Sequence, residues 1–323
     1  MDGRKTTVLY FRGAIMKISV QTGGIIENFG IKETYALIKE CGFEAIDWNI
    51  DHAWDPAIIW GKHQLPLGNV FEKELPEILE HFKEELDAIK ENGLEITQAH
   101  AVMPATKAEI PDLFPYFIEN CKNCIRLCDA VGCKRLVVHG VCMDNALLDL
   151  TTEDIDEMNR QLYESLIPVL KDTDVMVLLE NLFSWDMGPV EGHCQNGKEA
   201  ADFIDYLNEK AGKEAFGFCW DIGHSKLLGK DFRKFTSSLG HRIKALHIHD
   251  NDGVNDKHLA PFTGSVNWNM FTKCLKDIGY SGDLSFETCT QITTVFKFDP
   301  DLVKPWLKLI AETGNIFKKN ILE

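Results

Sequence analysis

VMVLLE at residues 175–180 carries five apolar residues into one carboxylate, and FGFCWD at 216–221 repeats the form. An apolar run this short, rich in β-branched or aromatic residues and closed by a polar one, fits a strand buried on both faces, as in a parallel sheet. Working outward, strand-like runs recur at KISVQ (17–21), EAIDW (44–48), EITQAH (95–100), RLVVH (135–139), IKALHIH (243–249) and DLSFE (283–287), eight in all. Between them lie IKETYALIKECG, ELPEILEHFKEELDAIKENG, LFPYFIENCKNCIRLCDAVG and MNRQLYESLIPVLK, whose apolar residues recur every three or four positions, the helical period. Gly42, Gly93, Gly132 and Gly279 follow such segments, where a helix C-terminus wants a left-handed residue. Eight βα units predict a (β/α)8 barrel; a doubly wound dinucleotide fold would need a Gly-rich turn after its first strand, and KISVQ has none.

Composition sets limits on partners. A chain of 323 residues, 45% hydrophobic and 26% charged, suits one barrel domain, expected over 16–323, with MDGRKTTVLYFRGAI (1–15) read as a leader, an expression remnant or an upstream start. The net charge of −16 repels phosphate backbones and anionic membranes, and no long Lys/Arg run offsets it, so nucleic acid is disfavoured. No apolar stretch reaches the roughly 18 to 20 residues of a membrane span. Ten scattered cysteines without a signal peptide read as reduced thiols in a cytoplasm. Cys121, Cys124 and Cys128 have helical spacing and no fourth partner close by, which favours packing over an iron–sulfur or zinc site.

Parallel strands of a barrel point their C-terminal ends at one mouth, so Glu180, Asp221, His247 and Glu287 are expected to converge. Three carboxylates and an imidazole suit a divalent cation, and two of them could double as acid and base. The longest irregular segments follow the second, fifth and seventh strands and carry Trp54, Trp60, Phe71, Phe183, Trp185 and Phe262. These form either a partly apolar wall for a sugar ring or carbon chain, or packing that holds the loops down.

The elements VLLEN, WDIGH, HIHDND with DKH beyond it, GSVNW and SFET resemble the sugar isomerase/epimerase superfamily with the xylose-isomerase-like TIM barrel, related to endonuclease IV. The resemblance runs from Met16 to about Gly314. It implies a metal held by Glu180, Asp221, His247 and Glu287, His247 being favoured over His249 because HIHD matches an H-x-x-D form, with His249 then a supporting or substrate-binding group. His100, His139, His224, Asp256 and His258 match the endonuclease branch, where such residues complete a three-metal site; they leave room for a second metal here, or bind substrate as in the sugar branch, together with Trp185. The segment after VLLEN departs from the nuclease pattern.

What the resemblance implies is a divalent-metal isomerase or epimerase, using Mn²⁺, Mg²⁺, Co²⁺ or Zn²⁺ and no organic cofactor. In it Glu180 and Glu287 move a proton beside a carbonyl through an enediolate. Alternatives are an inosose-type dehydratase on the same site, an abasic-site nuclease and a non-catalytic sugar-binding barrel. The expected partner is a small sugar or polyol, or a sugar phosphate. The want of a basic cradle tilts toward the unphosphorylated form, although backbone amides can bind phosphate without Lys or Arg, and homo-oligomerisation stays open.

Overall fold

The computed structural model describes residues 16–54, 65, 68–107, 110, 112–142, 150–185 and 187–323. Its barrel strands are β1 (Ile18–Gln21), β2 (Ala45–Asn49), β3 (Glu95–His100), β4 (Arg135–Val137), β5 (Met176–Glu180), β8 (Phe216–Asp221), β9 (Ile243–His247) and β10 (Leu284–Phe286). A separate antiparallel hairpin pairs β6 (Phe183–Trp185) with β7 (Pro189–Glu191). The eight-stranded sheet is parallel throughout, and β10 lies beside β1. A parallel bridge between Ile248 and Phe286, with the Ile248 amide donating to the Ser285 carbonyl at 2.9 Å and Glu287 to Ile248 at 3.0 Å, brings the two remaining edges together. The expected (β/α)8 barrel is what forms.

One principal helix follows each barrel strand: α1 (Ile31–Glu40), α2 (Lys83–Glu91), α3 (Leu113–Val131), α4 (Thr152–Lys171), α5 (Gly197–Ala211), α6 (Phe232–Leu239), α7 (Trp268–Asp277) and α8 (Val303–Leu322). Gly42, Gly93, Gly132 and Gly279 all have positive φ, and the amide of Gly132, the residue closing α3, bonds back into the helix. Cys121, Cys124 and Cys128 are buried free thiols on the inner stripe of α3, which fits the packing reading.

The alternation of side chains along each strand decides what the barrel holds. Ile18, Val20, Ile46, Trp48, Val177, Leu179, Phe218, Trp220, Leu284 and Phe286 face the helices and form the main core with them. The other parity points into the barrel: Val137, Leu178, Cys219 and Ala245 make a small apolar floor. Two positions further on, the same parity brings His139, Glu180, Asp221 and His247 to the mouth. The inward set therefore changes from apolar to ionisable along the barrel axis, and the site stands on a greasy plug.

The structure corrects several sequence-level expectations. RLVVH ends as a strand at Val137 and IKALHIH at His247, so His139 and His249 lie two residues beyond regular pairing. The loop after β5 is not irregular throughout, since it contains the β6–β7 hairpin. Trp54 and Phe71 are core residues at 2% and 1% exposure, and Phe262 packs on Trp268 and Phe317; none of the three walls the cavity. Trp60 and the segment 1–15 lie outside the described residues.

Candidate metal centre and active site

Local sequence fixes each strand end. Asp221 closes β8 and caps the short helix Ile222–Leu227, its carboxylate accepting the His224 amide at 2.5 Å. Asn181, the last residue of VLLEN, clamps Asp221 from the neighbouring strand: its side chain donates to the Asp221 carbonyl at 2.8 Å and accepts the Asp221 amide at 2.9 Å. Gly223 of WDIGH leaves space for a neighbour, because a Cβ there would lie 1.9 Å from Cε1 of His249. Asp250 accepts the amides of Gly264 at 3.0 Å and Val266 at 2.9 Å and the Trp268 indole at 3.2 Å, so the acid of HIHD and the GSVNW element form a loop clasp.

The four expected residues meet. Nδ1 of His247 lies 3.2 Å from Oε2 of Glu180 and 3.4 Å from Oε2 of Glu287. Ligand atoms of Asp221, His247 and Glu287 lie within 4.8 Å of one another, as do those of Glu180, Asp221 and His224. Two flanking groups continue the cluster. His100 and His139 face each other through their Nε2 atoms at 3.0 Å, and His139 reaches Glu180 at 3.1 Å. On the other side Asp256 lies 2.9 Å from Nε2 of His258 and 3.5 Å from Nε2 of His224. His249 is fully buried, its Nε2 3.0 Å from Asp221 and its ring stacked on His258 at 4.1 Å.

These groups open into a cavity of about 680 Å³. Glu180, Glu287, His100, His139, His224, Asp256, His258 and Trp185 line it, whereas Asp221, His247 and His249 lie beneath its surface. Phe183 stands beside Trp185 on one wall, and its ring meets that of His224 edge-on at 5.0 Å. Among the described residues, no Lys or Arg lines the cavity.

Sequence reasoning passed over Gln21, Asp47 and Asp51. Gln21 ends β1 and donates to Oε1 of Glu287 at 2.9 Å. Asp47 is fully buried, accepts from Gln98 at 2.6 Å and Ser285 at 3.2 Å, and lies 3.2 Å from Nε2 of His247. A search restricted to the final residue of each strand misses Asp47, which sits on inward parity two residues earlier. Inward parity is the signal that would have found it.

Electrostatics agree with the geometry. Burial alone would raise the Glu180 carboxyl, but His247 and His139 beside it outweigh that and hold it well below the usual range. Glu287, subject to the same opposition from burial and the pull of His247 and His258, lies at about 2. Burial, with His139 and His247 adding repulsion, lowers His100 to about 4. Burial would also lower His224, yet Asp221 and Asp256 raise it to about 10. The two glutamates are thus ionised at neutral pH, ready to ligate a cation or accept a proton.

The donor set fits a divalent cation. Both ring nitrogens of His247, Nδ1 of His249 and of His258, and Oδ1 of Asp256 are buried without a hydrogen-bond partner, although carboxylates stand nearby. For His247 the oxygens at 3.2 to 3.4 Å are close but poorly aimed, so proximity has not become hydrogen bonding. Unpaired buried nitrogens and crowded carboxylates are costly, and a cation would relieve both. Glu180, Asp221, His247 and Glu287 would hold the first ion; His224, Asp256 and His258 would suit a second.

A family model described as xylose isomerase-like TIM barrel matches residues 35–318, and the chain belongs to that family. Among curated proteins it is similar to uncharacterized protein y4fM of Sinorhizobium fredii, 26% identical over 267 residues, 80% of this chain and 81% of the relative. Among solved structures it is similar to D-allulose 3-epimerase from Methylomonas sp. in complex with D-allulose, with TM-score 0.64 and 14% identity over 94% of this chain and 96% of that one. It is also similar to the IOLI protein with a binding zinc atom, with TM-score 0.63 and 16% identity over 95% and 98% of the two chains. Among the described residues no helix is long and apolar enough to cross a membrane.

Proposed function

We propose that this chain is a divalent-metal-dependent sugar isomerase or epimerase. The observation that carries the reading is that Glu180 and Glu287 both line the cavity and each brings an oxygen to within 3.4 Å of the same imidazole nitrogen. Two ionised carboxylates reach one small volume, where a substrate carbon can lie between them. A divalent ion held there supplies positive charge against the negative charge that develops on the substrate oxygens. Glu180 or Glu287, as carboxylate, takes the proton from the carbon beside the carbonyl, leaving an enediolate, and the other, having first drawn a proton from solvent, returns one and becomes a carboxylate. Both then exchange protons with solvent before the next turnover. Return to the opposite face epimerises; return to the adjacent carbon isomerises. Asp221 and His247 hold position beneath the cavity surface, while Phe183 and Trp185 give the C–H face of a sugar an aromatic wall.

The test is a panel of ketoses, inosose-like compounds and sugar phosphates, incubated with Mn²⁺-loaded protein in D₂O and followed by proton NMR. We expect an epimeric or isomeric product carrying deuterium next to the carbonyl, because a proton on a carboxyl exchanges with solvent. Conversion without deuterium uptake would oppose this scheme, and loss of a β-hydroxyl would point to the dehydratase instead.

The two flanking groups, His100/His139/Glu180 and His224/His249/Asp256/His258, favour a second reading, phosphodiester cleavage at several ions. The net charge of −16 and the acidic cavity oppose it. Duplexes carrying an abasic site are expected to be neither bound nor nicked at physiological salt with excess Mn²⁺ or Zn²⁺, as read by gel shift and strand-scission assays. Efficient incision would promote this second reading over the first.

A further inference from the structure

We propose that Asp51 is the specificity residue of the cavity, accepting substrate hydroxyls and rejecting a phosphate. The proposal rests on the sugar-handling reading above, and its test is arranged to fail separately. Asp51 lies in the short 3₁₀ turn Ile50–Ala53 that directly follows β2, and it lines the cavity with Asn49 and Gln21. Of the carboxylates lining the cavity, Glu180, Asp256 and Glu287 belong to the cation-binding groups; Asp51 belongs to none. Among the described residues its side chain has no hydrogen-bond or ion-pair partner.

The turn is held from behind. The next residue, His52, donates through Nδ1 to the Asn49 carbonyl at 2.5 Å, and its Nε2 lies 3.4 Å from Glu85. Glu85 is itself buried and accepts from the Tyr35 hydroxyl and, at 2.8 Å, from the Trp48 indole. Such a preformed turn presents Asp51 without an ordering cost at binding. Burial, partly offset by the charge of His52, raises its carboxyl to about 7, the mark of a carboxylate short of donors. Hydroxyls of a ligand supply those donors. A phosphate dianion supplies none and meets a wall with carboxylates and, among the described residues, no Lys or Arg.

The polar side formed by Gln21, Asn49 and Asp51 comes from β1 and β2, while Phe183 and Trp185 come from the segment after β5. A ligand with hydroxyls along one edge and C–H groups along the other uses both sides. That is the chemistry of a free sugar or polyol.

The experiment is calorimetric binding of the D-ketohexoses and their 6-phosphates to the full-length Mn²⁺-loaded protein, to Asp51→Asn and to Asp51→Ala. Melting temperatures are measured alongside, to exclude a folding defect. We expect at least one free ketohexose to bind, its phosphate to bind roughly 10-fold or more weaker, and Asp51→Asn to weaken the free sugar by roughly 10- to 100-fold. Asp51→Asn is also expected to narrow the discrimination against the phosphate, since it removes the opposing charge. Asp51→Ala should show the same loss for the free sugar, which separates the missing acceptor from any new amide contact. The proposal is overturned if the phosphates bind as tightly as the free sugars, if no free ketohexose binds, or if both variants keep affinities within about two-fold. Binding does not require turnover. A protein that shows the expected pattern but converts no sugar would sink the isomerase reading and keep this one; normal turnover with unchanged discrimination in the variants would do the reverse.

Discussion

Turnover in Glu180→Gln and Glu287→Gln falls by roughly 10²-fold or more on the identified substrate, while the ion stays bound, somewhat more weakly. The amide keeps an oxygen for a cation but cannot accept and return a proton, so chemistry and ligation separate. The change is measured as kcat together with metal content by elemental analysis after gel filtration. Both glutamates are buried and held ionised by neighbouring imidazoles, so a neutral amide also removes charge that His247 now feels. Near-normal rates in both variants would assign the proton to another group, with His224 and His249 the first to examine.

Asp221→Ala and His247→Ala are expected to behave in the opposite order. Each removes a ligand from beneath the cavity surface, so the apparent Kd for Mn²⁺ should rise by roughly 10²-fold, and excess Mn²⁺ should restore part of the activity. Competition against a fluorescent chelator reads this without substrate. Asp221 carries a second duty as the cap of Ile222–Leu227, which costs about 1 kcal/mol when lost. Asp221→Asn keeps the capping oxygen and separates that cost from lost ligation. Unchanged Mn²⁺ affinity in His247→Ala would shift the ligand role toward His249, whose Nε2 lies 3.0 Å from Asp221.

The barrel was legible because its signals are local and repeat: doubly buried strands read as short apolar runs, and several of the helices between them end in glycine. The convergence of Glu180, Asp221, His247 and Glu287 at the candidate site was legible for a related reason. In a parallel barrel the last inward residue of each strand faces the common mouth, so one dimension of sequence maps onto one plane in space. The parts that stayed hidden lack such a rule. Asp47 sits two residues before its strand ends, and Asp51 lies in a turn after it, so a rule confined to strand ends passes over both. Trp54, Phe71 and Phe183 read alike in sequence, yet the first two are sealed in the core and only the third reaches the cavity. Whether a loop aromatic faces inward depends on contacts distant in sequence. The β6–β7 hairpin is equally quiet, with three-residue strands and no alternation long enough to register.

Anomalous diffraction from crystals of the Mn²⁺-loaded protein tests the central claim most directly. The account predicts an anomalous peak bounded by Glu180, Asp221, His247 and Glu287, at ligand distances of roughly 2.0 to 2.4 Å. Metal-loaded crystals with no peak among these four side chains, or with the ion held only by His224, Asp256 and His258, would contradict it.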